Sequence, residues 1–427
     1  MSDKKNVPKI RFPGFTEPWE QRKLGELVKE GILEAPLDGN HGEKHPTSDE
    51  YVDSGIPFLM ASDIHNGEVN IYSCKYITKE RAERLDKGFA RNGDVLLTHK
   101  ATIGETAILS NLMTEYAMLT PQVTYYRIKN EERLNREYLY SFFNSLDFQT
   151  ELKTKAAQST RPYIGITAQQ NLKIILPAEI DEQIRIGLYF RNLDHLITLH
   201  QRKLEHVKKM KKSMLQKMFP KKNQLYPEVR FPGFTDAWEQ RKLEDIYGSI
   251  GNAFVGTATP YYVESGHFYL ESNNIKDGQI NHNTEVFIND EFYEKQKDKW
   301  LHTGDMVMVQ SGHVGHAAVI PEELNNSAAH ALIMFRNPKK EIEPYFLNYQ
   351  YQTLKSKKKI ENITTGNTIK HILASEMQQF EVDMPELAEQ KKIAEYFRAL
   401  DHLITLHQRE LDHLQLLKKG MLQQMFI

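Results

Sequence analysis

The sequence is poor in the features that mark secreted and membrane proteins. Its 427 residues include a single cysteine, Cys74, which excludes an intrachain disulfide framework and suits a reducing compartment. No apolar run approaches the roughly eighteen residues that mark a membrane-spanning helix. The opening residues MSDKKNVPKIRF lack the apolar stretch of a signal peptide. We therefore expect a cytoplasmic protein.

The sequence also lacks an excess of one charge and the motifs of common catalytic sites. Lys and Arg number 55 and Asp and Glu 57, so the formal net charge is −2. DNA-binding domains usually carry a basic excess, although net charge leaves room for a local basic patch. Phosphate-binding, dinucleotide-binding, nucleophile-elbow and zinc-helix motifs are all missing from the sequence. These absences predict a chain that performs no chemistry itself and holds no metal.

What the sequence does contain is a long internal repeat. The segment RFPGFTEPWEQRKL at 11–24 returns as RFPGFTDAWEQRKL at 230–243, with 12 of 14 positions identical. We call these two segments the collars. A second block, at 193–219, matches 400–426 at 19 of 27 positions, and the residues between the blocks diverge. This order indicates a tandem duplication of a domain followed by a long helix, because the period is far longer than that of a solenoid repeat.

Short apolar strands, Gly-containing turns and helical segments alternate in both divergent regions. They predict an α+β fold, the same in both copies. We predict four consecutive segments: an N-terminal domain at 1–179, a central helix at 180–221, a C-terminal domain at 222–386 and a second helix at 387–427.

The repeated helices carry apolar residues at alternating spacings of three and four, the pattern of a coiled coil. We expect the two helices to pair antiparallel, which would give the chain a pseudo-two-fold axis. His200 and Lys211 of the first helix recur as His407 and Lys418 of the second, at equivalent heptad positions, and suit residues that set the register. The predicted seam consists of Leu193, Ile197, His200, Leu204, Val207, Met214, Leu400, Ile404, His407, Leu411, Leu414 and Met421.

The collars and the paired "EQ…YFR(N/A)LDHLITLHQR" helices resemble those of the specificity subunit of Type I restriction–modification systems. The resemblance covers essentially the whole chain. It implies two target-recognition domains, each contacting one half of a bipartite, asymmetric DNA site, with the helices spacing the half-sites. It also implies two methyltransferase subunits as partners and, through them, restriction subunits. S-adenosylmethionine, ATP and Mg²⁺ would then be bound by those partners and none by this chain.

Two matched segments in each half are candidates for DNA contacts. One is a polar loop that ends in Gly, THKATIG at 98–104 and QSGHVG at 310–315, and the other is a basic run followed by a small polar loop. The alternative is a solvated basic helix end with an ordinary capping turn. In the first half the candidates are Thr98, His99, Lys100, Lys155, Gln158, Thr160, Arg161 and Tyr163. In the second half they are Gln310, Ser311, His313, Lys357, Lys358, Thr365, Asn367, Thr368, Lys370 and His371.

Other functions remain open at this point. His313 and His316 in SGHVGH could hold a metal or act as a nucleophile, but the matching segment 100–105 has no histidine, which favours a ligand-contacting loop. The chain could be a scaffold whose variable domains bind proteins. It could also be an independent DNA-binding regulator. Salt-dependent affinity for duplex DNA would favour the functions that involve DNA.

Overall fold

The computed structural model divides into two compact units and describes residues 7–157, 162–366 and 369–426. The first unit comprises the described residues of Met1–Arg202 and Gln408–Ile427, and the second comprises those of Lys203–His407. Each unit therefore combines one α+β domain with a portion of each long helix. The division into four consecutive segments stays a prediction.

The secondary structure of the described residues follows a closely similar order in the two halves. Strands β1 to β12 are Glu20–Lys23, Leu37–Asp38, Ile56–Leu59, Ile64–His65, Glu68–Val69, Lys75–Ile77, Phe89–Ala90, Val95–Lys100, Thr102–Ile108, Ala117–Leu119, Val123–Tyr126 and Lys173–Leu176. Helices α1 to α6 are Leu24–Lys29, Lys79–Glu83, Arg136–Phe143, Leu146–Ala156, Ile166–Gln170 and Ile180–Lys217. Strands β13 to β24 are Glu239–Lys242, Tyr247–Asn252, Tyr262–Val263, His267–Leu270, Ile275–Lys276, Gln279–Ile280, Phe287–Ile288, Met306–Val309, Ala317–Val319, Ala328–Ala329, Leu332–Pro338 and Glu381–Met384. Helices α7 to α12 are Leu243–Ile246, Asp290–Glu294, Pro344–Tyr351, Leu354–Ile363, Ala374–Gln378 and Leu387–Met425.

Matching sheets show that the two domains share one topology. The sheet ordered β2-β11-β8-β9 in the first domain corresponds to β14-β23-β20-β21 in the second. The collar strands β1 and β13 pair antiparallel with β12 and β24, the strands that precede the long helices. Three strands of a second sheet also correspond, β6-β3-β10 and β19-β16-β22, whereas the fourth strand lies at opposite edges, β7 beside β10 and β15 beside β19. The α+β class and the repeated domain are therefore confirmed.

One predicted loop differs between the copies. In the first domain the stretch predicted to be a polar loop continues β8 as far as Lys100 and turns at Ala101, whose φ is +69°. In the second domain β20 ends at Val309, and the loop remains. The β-branched residues Thr102 and Ile103 favour extended backbone, which suits the hairpin of the first copy.

Collar aromatics pack against the long helices in both units. Trp19 and Trp238 are buried in their respective cores. The ring of Phe12 meets that of Tyr189 edge-on at 6.1 Å, and the equivalent pair Phe231–Tyr396 lies at 6.2 Å. The collars thus attach each domain to the start of its long helix.

Within each unit the long-helix segments run antiparallel. In the first unit Phe190 and Asp194 of α6 meet Phe426, which follows α12, and Lys418 of α12, so residue numbers rise on one helix as they fall on the other. In the second unit Lys211 of α6 lies beside Asp401 of α12, and Phe219, which follows α6, stacks on Phe397 of α12, so the direction is the same. Among the helices of the described residues, none combines the length and apolar character needed to cross a bilayer.

Candidate nucleic-acid interface

The structure brings the two candidate segments of the first domain together. Lys100, at the end of β8, forms an isolated β-bridge with Tyr163, and its Nζ lies 5.9 Å from the centroid of the Tyr163 ring. The backbone N–H of Ile164 donates to the carbonyl of His99 over 3.2 Å. Lys100 and Tyr163 are exposed, so they present a cation and an aromatic ring side by side. Such a pair suits contacts with phosphates and bases.

Thr98 and His99 lie beneath that surface. Both are fully buried, and Thr98 Oγ1 accepts a hydrogen bond from the backbone N–H of Glu105 over 3.0 Å. His99 Nδ1 lies 3.0 Å from the carbonyl oxygen of Ile164, which accepts a hydrogen bond from the Nδ1–H tautomer of the ring. These contacts hold the hairpin and the 162–165 segment together. A direct DNA contact by these two side chains stays a prediction, and their burial gives them a structural role.

The surroundings of His99 keep its imidazole neutral. Burial lowers the pKa of His99 to about 4, although the Asp38 carboxylate, 3.9 Å from Nε2, opposes the shift. Burial also raises the pKa of Asp38, but hydrogen bonds from Lys87 and His41 outweigh that effect and hold it below its usual range. Nε2 of His99 has no hydrogen-bond partner among the residues that the structure describes.

We expect the first domain to lose stability in acid because of His99. The histidine of an unfolded chain takes up a proton near pH 6.5, whereas folded His99 does so only near pH 4. Stability should therefore fall as the pH drops through that window, by roughly 3 kcal/mol in total. Urea unfolding at several pH values should show this loss. In His99→Gln, which carries the residue found at position 310, that part of the pH dependence should disappear; an unchanged profile would contradict the assignment.

The second domain joins its candidate segments in the same way. Ser311 forms a β-bridge with His371, and the backbone N–H of Gly312 donates to the carbonyl of Lys370 over 3.0 Å. The backbone carbonyl of Gln310 accepts from the backbone N–H of Ile372 over 3.0 Å. The candidate side chains His313, Lys357, Lys358, Thr365, Lys370 and His371 are exposed, whereas Gln310 and Ser311 are half-buried.

A cleft of about 280 Å³ lies beside these residues, with Lys357, Lys370 and His316 in its wall. His316 Nδ1 accepts a hydrogen bond from the backbone N–H of Asp277 over 3.1 Å, and burial lowers the pKa of His316. His313 Nε2 lies 3.0 Å from the carbonyl oxygen of Ser272. Within the described ranges no group of three or more His, Cys, Asp or Glu side chains could hold a metal ion. Each of the two histidines thus contacts the backbone of the 272–277 segment.

Of the remaining candidates, Lys155 contacts other residues of its own domain, and the others lie outside the described residues. Lys155 is half-buried, and its Nζ donates to Glu151 over 2.6 Å and to the carbonyl of Asn171 over 3.2 Å. Its ammonium group is therefore already engaged within the domain. Five candidates lie outside the described residues: Gln158, Thr160, Arg161, Asn367 and Thr368.

Comparison with known proteins identifies the family. Residues 16–209 and 235–416 match the family described as the Type I restriction modification DNA specificity domain. The chain belongs to this family. Each of the two matches covers the end of one collar, the α+β domain that follows it and part of the next long helix.

Similar proteins agree with the family match along the whole chain. The specificity subunit of the Type I restriction enzyme MjaVIII of Methanocaldococcus jannaschii is 22% identical, with 97% of this chain and 93% of that protein covered. A putative MjaX specificity subunit of the same organism is 23% identical, with 97% and 94% covered. The crystal structure of a Type I S subunit from M. genitalium superposes with a TM-score of 0.64 over 99% of both chains, at 13% identity. This chain and the M. genitalium S subunit therefore share a fold.

The specificity-domain framework contains ion pairs that the sequence patterns did not predict. Arg11 of the first collar makes a two-fold hydrogen bond to Glu182 of α6, at 2.6 and 2.8 Å, and the Glu182 side chain is fully buried. Arg230 and Glu389 repeat this contact at 2.7 and 2.7 Å. A bidentate pair of this kind fixes both the relative orientation of the two side chains and the distance between them. In the sequence, these pairs could have been suspected because the same Arg and the same Glu recur in both copies.

The glutamine that follows each of these glutamates also has a structural role. Gln183 accepts from the backbone N–H of Asn135 over 3.0 Å and donates to the carbonyl of Pro177 over 3.2 Å. Gln390 makes the equivalent contacts with Glu343 and Pro385, at 3.1 and 2.9 Å. The repeated Glu-Gln dipeptide therefore clamps each domain to the start of its helix.

The predicted seam positions lie on covered faces of α6 and α12. Leu193, Leu204, Val207, Leu400, Leu411 and Leu414 are buried. The others, Ile197, His200, Met214, Ile404, His407 and Met421, are half-buried. Leu193, with Ile197 beside it, belongs to the first unit's core, and Val207, with Met214, to the second unit's core.

Proposed function

We propose that this chain directs a Type I restriction–modification complex to a bipartite, asymmetric DNA site, with each domain contacting one half-site. The observation that carries the proposal is the pairing of candidate segments in each domain. Lys100 meets Tyr163 in one, and Ser311 meets His371 in the other. Corresponding positions of the two domains thus present different side chains, as two domains that recognise different sequences require.

The long helices would set the distance between the half-sites. Helix α6 has 38 residues, which is roughly 57 Å at 1.5 Å per residue. Two half-sites approached from one side of the duplex lie about one helical turn, or 34–36 Å, apart. Helices of this length are therefore long enough to hold two recognition domains at that separation.

The chain itself would be non-catalytic. We propose that it recruits two methyltransferase subunits, which transfer a methyl group to adenine N6, and through them the restriction subunits. S-adenosylmethionine, ATP and Mg²⁺ would be bound by those partners. The repeated collars and helices support this assembly, because two equivalent framework surfaces suit two identical partners. Since the target is duplex genomic DNA, we place the complex in the cytoplasm.

The test is single-molecule mapping of N6-methyladenine in the strain that carries the gene, with the gene intact, deleted and restored. Deletion should abolish methylation at one split motif, and restoration should recover it. A second strain that lacks the methyltransferase gene should lose the same motif. Methylation that is unchanged by deletion, in a strain whose methyltransferase is active, would overturn the proposal.

A further inference from the structure

One aspartate in the first unit joins three separate elements. Asp194 of α6 accepts a hydrogen bond from the hydroxyl of Tyr140, on α3, over 3.0 Å. Its other carboxylate oxygen lies 2.5 Å from Nζ of Lys418, on α12. The tyrosine belongs to the recognition domain and the lysine to the second long helix. Asp194 therefore ties the domain to both helices.

The second unit repeats this junction with the helices exchanged. Asp401 of α12 accepts from the hydroxyl of Tyr349, on α9, over 2.8 Å, and from Nζ of Lys211, on α6, over 2.6 Å. The Lys211 ammonium also lies 5.3 Å from the centroid of the Tyr349 ring. Each junction thus takes its aspartate from the helix that follows its own domain and its lysine from the other helix.

Burial makes both junctions sensitive to position. The side chains of Asp194 and Lys418 are each 20% exposed, and those of Lys211 and Asp401 are 12% and 13% exposed. These half-buried charges depend on their partners, because a charge that has lost much of its hydration and is left unpaired is destabilising. A slip of one helix against the other by one turn, about 5.4 Å, would break the pair. A charged residue at a helix–helix contact can therefore select one register at a cost in stability.

The tyrosines extend this selection to the domains. Burial raises the pKa of Tyr140 and of Tyr349, and the neighbouring aspartate raises it further, so both hydroxyls stay protonated and donate. A domain that shifted along its helix would lose this hydrogen bond, and its tyrosine would lie buried without a partner. Helix register and domain position are thus linked through one carboxylate.

We infer that Asp194 and Asp401 are positioning residues that set the permitted spacing between the two half-sites. The inference rests on the proposed function and adds the side chains that determine spacing. Neither aspartate contacts DNA in this scheme. Each acts by restricting where its recognition domain sits on the helix pair.

The experiment measures spacing directly. The full chain and its methyltransferase are expressed in a strain that lacks other adenine methylation, together with a plasmid library. The library carries the mapped motif with its natural spacer and with spacers one base pair shorter or longer. N6-methyladenine is then mapped on every plasmid. The variants are Asp194→Ala, Asp401→Ala and the reversed pair Asp194→Lys with Lys418→Asp. The matched control is Glu205→Ala, an exposed carboxylate on the same helix.

In Asp194→Ala, methylation at altered spacers should rise relative to the natural spacer by about five- to tenfold, a ratio typical of coupling between contacting charged residues. The half-site sequences should stay the same. The reversed pair should restore part of the natural preference, and Glu205→Ala should resemble the wild type. A purely structural role would lower methylation at all spacers equally, so the ratio separates the two roles.

Two results would overturn the inference. One is an unchanged spacer preference in folded Asp194→Ala and Asp401→Ala, verified by circular dichroism. The other is loss of methylation at every spacer in these variants and also in the milder Asp194→Asn and the reversed pair, since the junction would then serve assembly alone. Failure of the proposed function is distinct, because the wild-type chain would then methylate no split motif at all.

Discussion

Replacement of Arg230 by alanine is expected to lower the free energy of unfolding of the second unit by about 3–5 kcal/mol, the range measured when one partner of a buried ion pair is removed. Glu389 is fully buried, and among the described residues its carboxylate accepts side-chain hydrogen bonds from Arg230 alone, at 2.7 and 2.7 Å. In the first unit, Trp19 Nε1 also donates to Glu182, over 3.2 Å. The second unit is thus the more sensitive of the two.

Single and double variants can distinguish two causes of this loss: the missing attraction between Arg230 and Glu389, and the burial of an unpaired Glu389 carboxylate. Arg230→Met combined with Glu389→Leu removes both charges and should recover most of the stability, because apolar replacement of a buried pair is often neutral or better. Arg241→Ala is the control, since its pair with Glu239 is exposed and should contribute less than about 1 kcal/mol. Urea unfolding followed by tryptophan fluorescence reports the result, because Trp238 is part of the second core. Equal losses in the single and double variants would show that an unpaired carboxylate is not the cause.

These ion pairs show where sequence patterns reach their limit. The repeat predicted two domains of one fold, because similar sequences adopt similar structures. The partners Arg11 and Glu182 are 171 residues apart, and no local pattern links them. Helical periodicity likewise placed Lys211 and Lys418 on the helix contact but could not choose Asp401 and Asp194 as their partners. Periodicity shows which face a residue occupies, not the axial shift between two antiparallel helices.

The candidate interface was predictable in outline and less so in detail. The sequence placed a basic polar segment after the hairpin in each copy, and the structure joins that segment to the hairpin. The sequence did not show that His99 is buried. The carbonyl group that His99 contacts belongs to Ile164, which is 65 residues away in the chain. A polar residue in an extended stretch can face solvent or an internal partner. Only the fold decides between these two environments.

Replacement of Phe426 by alanine should destabilise the first unit by about 3–5 kcal/mol, the usual cost of Phe→Ala in a core. Its ring is 5% exposed. The ring centroid lies 5.7 Å from that of Phe190, 5.8 Å from those of Tyr138 and Phe142, and 6.3 Å from that of Trp19. These rings come from the collar, from α3 and from α6. Phe426 therefore joins the second repeated helix to the domain of the first repeat.

The effect should be local to that unit, and hydrogen exchange can show this. Amides of the first unit should lose protection in Phe426→Ala while those of the second unit keep it, because core residues control opening of their own cooperative unit. Phe219→Ala, which removes the equivalent ring beside Trp238, Phe346 and Phe397, should give the opposite pattern. Leu416→Ala is the control, since that side chain is 70% exposed and should change stability by less than about 0.5 kcal/mol. Equal loss of protection in both units for either phenylalanine variant would mean that the units unfold together, and the two aromatic clusters would then act as a single core.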